Sequence, residues 1–225
     1  METEVRSPGA RWVAVAPLVF LAGYAVVRVG APDVVPRLIK EDGVLEYLQV
    51  LLYAGSACLA LLVAARWRGE VIAWAFLLFA FACVFVAIEE VSWGERLLGF
   101  DPPESIRELN TQDEMSLHNL APVQGLLHSA YIVVGLIAGL GWWAAGRLSD
   151  GGLRRTFEVI LPGRLTTLFF LPVAGFYVYM EVVGTPTVGW LRSQDQEAFE
   201  TLLAGGFAVF MWMRWRAAAR ADYSR

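Results

Sequence analysis

The chain has 225 residues, of which 57% are hydrophobic and 18% charged, with a net charge of −4 and a mean hydropathy of +0.51. A soluble domain carries about 25% charged residues, so this composition excludes an ordinary water-soluble fold, and the acidic balance argues against a nucleic-acid partner. The two cysteines, Cys58 and Cys83, supply neither a disulfide framework nor a Cys-x-x-Cys metal pair and read as small packing residues.

The charged residues fall in clumps separated by apolar runs, and six runs read as transmembrane helices at 12–30, 46–65, 71–90, 120–145, 165–183 and 199–215. About 20 apolar residues cross a ~30 Å hydrocarbon core, and only a helix satisfies its own backbone there. The first run ends at Val29-Gly30-Ala31-Pro32 and reads as a retained helix rather than a cleaved signal, with Pro17 as a kink. The second opens on a polar stripe, Asp42, Glu46, Gln49 and Tyr53, at i, i+4, i+7, i+11 spacing. The third ends in the adjacent pair Glu89-Glu90.

Between the third and fourth runs lies the one long loop, 91–119. Ser92-Trp93-Gly94-Glu95 has capping-box spacing with Gly99 as a stop, and Asp101-Pro102-Pro103-Glu104 starts a second short helix. Such a loop is either functional or a bracket that braces the helices. The fourth run carries Gln124, His128 and Tyr131 on one face, and the fifth carries Tyr177 and Glu181 four residues apart. The sixth is shorter, includes Glu200 near its start, and spans only by tilting or by thinning the bilayer locally. The expected fold is all-α: a single domain over 1–225, a polytopic bundle of about six transmembrane helices with a structured extracytoplasmic loop.

Orientation follows from Lys and Arg near the ends of the runs. With the N-terminus inside, twelve fall on the inner side (Arg6, Arg11, Arg66, Arg68, Arg147, Arg154, Arg155, Arg164, Arg214, Arg216, Arg220, Arg225) and six on the outer. The acids run the other way, sixteen outside against six inside. The expected location is the plasma (cytoplasmic, inner) membrane, multi-pass, with both termini cytoplasmic and membrane lipids as surroundings.

That topology gathers the polar stripes in the outer half of the bundle. Glu46, Gln49, Tyr53, Glu89, Glu90, Gln124, His128, Tyr131, Tyr177 and Glu181 converge on one depth, with Arg28 closing the first helix. Adjacent carboxylates there require a cation, whether Arg28, Arg96 or a metal. Glu114 and His118 are four apart in a stretch that runs to Asn119, and carboxylate with imidazole suits one divalent transition metal, Zn, Mn or Fe. Ten residues separate His118 from His128, roughly 80° around a helix, so one ion can take both only if the chain breaks near 119–122. The alternative is an ion-pair network that ties the loop to the helices.

The run Glu89-Glu90-x-Ser92-Trp93-Gly94-x-Arg96, followed by Asn110-x-Gln112-x-Glu114 and Leu117-His118-Asn119, is similar to one found in uncharacterised bacterial multi-pass membrane proteins. Glu89-Glu90 with Arg96 and two later histidines also resembles, in part, the CAAX-protease-like intramembrane metalloproteases. That resemblance implies a catalytic Glu89 or Glu90 as base and His118 and His128 as metal ligands. The spacing differs: five residues separate Glu90 from Arg96 where that family has three, and no Phe lies four before either His. Three functions fit the sequence: a metal-assisted hydrolase of lipid or peptide, a non-catalytic subunit docking a membrane-protein partner through the loop, and a proton or cation transporter. Whether the chain is an enzyme stays open at this level.

Overall fold

The computed structural model describes residues 8–40, 43–108, 110, 115–117, 120–184 and 191–223. Its regular structure is helical: α1 (Pro8–Gly30), α2 (Val35–Ile39), α3 (Val44–Arg66), α4 (Val71–Glu89), α5 (Glu95–Leu98), α6 (Glu104–Arg107), α7 (Ala121–Ala145), α8 (Gly151–Ile160), α9 (Thr167–Val183) and α10 (Gln196–Tyr223). Five stretches are long and apolar enough to cross a membrane: Arg11–Gly30, Val35–Arg66, Val71–Glu89, Val123–Ala145 and Gly151–Val183. The sixth apolar run becomes α10, which at 28 residues extends well beyond 199–215 at both ends. It is less apolar because Glu197 and Glu200 lie in its first turns and Arg214, Arg216 and Arg220 towards its end.

Small residues decide which helices pair. Ala57, Ala60 and Ala64 of α3 and Ala73, Ala80, Cys83 and Ala87 of α4 are buried, so these two helices pack closely after the short turn at Trp67–Glu70. Cys83 thus fills the core as expected, whereas Cys58 is exposed. α10 lies against α3, with Phe210 and Met211 in the shared core. On the other side α7 packs on α9 through Gly135 and Gly139. A Cβ on Gly135 would stand 2.9 Å from the Ala174 Cβ, and one on Gly139 2.7 Å from Leu171 Cδ2. This small-x-x-x-small spacing lets the two backbones approach. α1 is the outlier: only 6% of its apolar stretch is buried, so it sits on the flank of the bundle.

The loop has its own structure, as expected, but by a different local mechanism. α5 ends at Gly99 in the left-handed region (φ 70°), and α6 starts after Pro103. Ser92 caps nothing. Ser92 and Trp93 instead adopt positive φ (46° and 56°), and Gly94 (φ 78°) is the N-cap of α5. The capping-box spacing fails because the Glu95 carboxylate is used elsewhere, accepting from the Met115 N–H at 2.6 Å. α7 begins at Ala121 with extended backbone at Leu120, so the chain does break where two histidines on one ion would need it to. An element not expected from the sequence is α8, an amphipathic helix capped by Asp150, whose Oδ1 accepts from the Leu153 N–H at 2.8 Å.

Candidate functional site

At the end of the bundle that carries the loop, Glu90 follows the last turn of α4, and Glu197 and Glu200 lie one turn apart at the start of α10. One carboxylate oxygen from each of the three lies within 4.8 Å of the others. Glu200 is buried and the other two are half-buried. The charged side chains that act on Glu90 most strongly are themselves carboxylates, those of Glu200, Glu197, Glu46 and Glu89. Like charges this close do not all ionise unless a cation joins them. Burial first, then the carboxylates of Glu200 and Glu46, push the Glu197 carboxyl up to about 9, against a smaller downward pull from the Gln49 hydrogen bond.

The surrounding groups come from the polar stripes. Gln49, wholly buried on α3, donates through Nε2 to the Glu197 carboxylate at 3.0 Å and to the Glu197 carbonyl at 3.3 Å. Its Oε1 is buried and accepts no hydrogen bond among the described residues. A buried acceptor left without a donor costs about 1–3 kcal/mol, a cost that Gln49 carries while its Nε2 faces Glu197. Tyr177 donates its hydroxyl to Glu200. Tyr131 stacks on Tyr177 with ring centres 4.4 Å apart and planes within 7°. Tyr53 is buried with Glu90 and Glu200 as its strongest charged neighbours.

The adjacent glutamates have separate jobs. Glu89, buried, accepts from the Trp93 indole through one oxygen and from the Leu117 N–H through the other at 2.7 Å. It pins both ends of the loop, and the positive φ at Trp93 is what turns the indole back to it. Arg28 is committed as well: it pairs with the buried Asp195, which also accepts from the Tyr24 hydroxyl and the Arg192 N–H, both at 2.7 Å. His128 meets Glu181 at 2.7 Å and leans on the Tyr177 ring, with centres 5.2 Å apart. It therefore flanks the carboxylate group and is not among the residues that could share one ion there. Glu46 lines a cleft leading to Glu197, and Gln124 is exposed on α7. Asp42, Glu114, His118 and Asn119 lie outside the described residues, as does the side chain of Arg96.

Of the residues proposed from the sequence, Glu90, Gln49, Tyr53, Tyr131 and Tyr177 are thus brought together. Glu197, Glu200 and Asp195 were missed. The signal was present: Glu197 and Glu200 at i, i+3 share a helix face, and ionisable residues in apolar helices face a bundle interior or a cavity. Starting the sixth run at 199 left Glu197 outside it and made Glu200 look like a defect of the span. No family model, curated protein or solved structure matches the chain.

Proposed function

We propose that the chain is a multi-pass membrane protein that holds a hard divalent cation on Glu90, Glu197 and Glu200 and uses it to hydrolyse a lipid or peptide at the loop-side boundary. The observation that carries this reading is the group of three carboxylates within 4.8 Å beside the unpartnered, buried Oε1 of Gln49. Carboxylate and carbonyl oxygens together select Mg, Ca or Mn, so of the transition metals that the sequence suggested, Mn suits the donor set best. Such an ion would offset the carboxylate charge, polarise a carbonyl or phosphoryl oxygen and lower the pKa of a bound water. The Tyr177 hydroxyl gives its one proton to Glu200 and so orients that carboxylate towards the ion.

The excess of Lys and Arg on the other side supports an outward-facing loop and cytoplasmic termini. A transporter reading is supported less well, because among the described residues the opposite half of the core buries mainly apolar side chains, Val63, Phe76, Phe170 and Met211 among them. Equilibrium binding of Mn²⁺ to the detergent-purified full chain tests the proposal. One ion per chain is expected, with affinity lowered about 100-fold or more in Glu200→Gln, the scale of losing a charged ligand. Absence of saturable Mn²⁺, Mg²⁺ or Ca²⁺ binding by the unsubstituted protein would overturn it.

A further inference from the structure

Two adjoining clefts open at the loop end. One, of about 460 Å³, lies between α2, the first turn of α3 and the segment leading into α10. It is rimmed by Arg28, Lys40 and Arg192, with Glu46 and Glu197 also in its wall, so it leads to the carboxylate group. The other, of about 560 Å³, runs along the flank of α1 past Leu21, Ala25 and Phe199, and shares Arg28 and Arg192 with the first. A basic rim and an apolar trough therefore meet at the same two arginines. The charge of Arg28 is matched by Asp195. Lys40 and Arg192 have no carboxylate partner among the described residues and are exposed.

We infer that the paired clefts hold one anionic phospholipid, its phosphate between Lys40 and Arg192 and an acyl chain along Leu21, Ala25 and Phe199. The inference rests on the proposed membrane and metal reading, for which it names the substrate class. Charge complementarity selects the occupant: an anionic headgroup brings only a phosphate to two cations without a carboxylate partner among the described residues, a zwitterionic one adds an ammonium beside them, and a free phosphate leaves the apolar trough unused. The carboxylates of Glu46 and Glu197 repel a bare phosphate, so the headgroup sits at the rim and approaches them only across a cation. The loose packing of α1 leaves the trough open to lipid along its length.

The test is retention of phosphatidylglycerol against phosphatidylcholine of the same acyl chains, read by native mass spectrometry of the full chain. Wild type is expected to favour phosphatidylglycerol by about fivefold or more, the scale of one Lys or Arg acting on an anionic headgroup. Lys40→Glu with Arg192→Glu, and the milder Lys40→Gln with Arg192→Gln, should bring the ratio close to parity. Ala25→Trp should reduce retention of both lipids by filling the trough. Equal retention by wild type, an unchanged preference in both double variants, or displacement of the lipid by inorganic phosphate would each overturn the site. Mn²⁺ binding without lipid preference would sink this inference alone, and lipid preference without Mn²⁺ binding would sink the metal reading alone.

Discussion

The two ends of the bundle spend their charges in opposite ways. At the loop end, carboxylates turn inward and face one another, Glu90 with Glu197 and Glu200, while a neighbouring amide oxygen goes unmet. At the other end, charges are matched to groups that welcome them. Arg214 donates to the carbonyls of Glu158 and Leu161 at the end of α8, and Arg66 to that of Ala218. Arg147 and Arg216 lie over the rings of Trp143 and Trp212. Cations at helix C-termini and over aromatic faces are stabilising without any ligand. The same helices thus carry one end where cations meet carbonyls and aromatic faces and one end where carboxylates meet one another.

The most severe way to break this comparison is to show that the ends face the wrong sides. Reporter fusions after Arg68 or Arg216 should read cytoplasmic, and one near Pro103 extracytoplasmic. A cytoplasmic signal from Pro103 would turn the site over and remove an outer-boundary substrate.

Within the loop end, Glu89 and Glu90 should separate cleanly. Glu89→Ala removes the acceptor of the Trp93 indole and the Leu117 N–H, at a cost of about 2 kcal/mol because both residues are exposed and water replaces part of each bond. Faster proteolysis within 91–119 and a lower melting temperature should follow. A Glu89→Ala protein with unchanged melting and loop protection would mean that the loop is held by something else.

At the anchoring end, Arg214→Met should cost about 1–2 kcal/mol through lost capping of the α8 carbonyls. Mn²⁺ affinity should stay within about twofold, since interactions this far apart are close to additive. A large loss of metal binding in Arg214→Met would show that the two ends are coupled after all.

A last measurement is the effect of pH on metal affinity. Ligation needs the carboxylate form, and in the metal-free protein the Glu197 proton is held up to about 9. Loading below that pH must displace the proton, so affinity should rise as pH rises, by up to about tenfold per unit for one proton. Proton release measured calorimetrically in buffers of different ionisation enthalpy checks this. Affinity flat between about pH 6 and 8 would show that Glu197 is already ionised.

Local pattern accounts for much of the fold. Apolar run length predicts the long helices, Gly99 and Pro103 mark the short ones in the loop, and Pro122 marks the start of α7, because each of these depends on neighbours in the chain. Residues whose partners are distant in sequence were harder to assign. Nothing local distinguishes Glu89, which closes onto a loop N–H 28 positions later, from Glu90, which faces α10. Gly135 and Gly139 look like ordinary helix interruptions until α9 is laid against them. α8 carries no long apolar run: its ten residues are amphipathic, and their helical form depends on the Asp150 cap and on packing.

By itself, then, the sequence determined the helical class, the long apolar stretches and the gathering of carboxylates toward one end, since hydropathy and backbone self-satisfaction act along a single segment. Only the tertiary structure decided which carboxylates share a site. The close packing of α3 on α4 and of α10 on α3 sets the rotation of each helix. That rotation brings Glu197 and Glu200 to Glu90 and sends Arg28 to Asp195 and His128 to Glu181. A helix presents every side chain at some angle, and the angle that matters is fixed by what packs on its other faces.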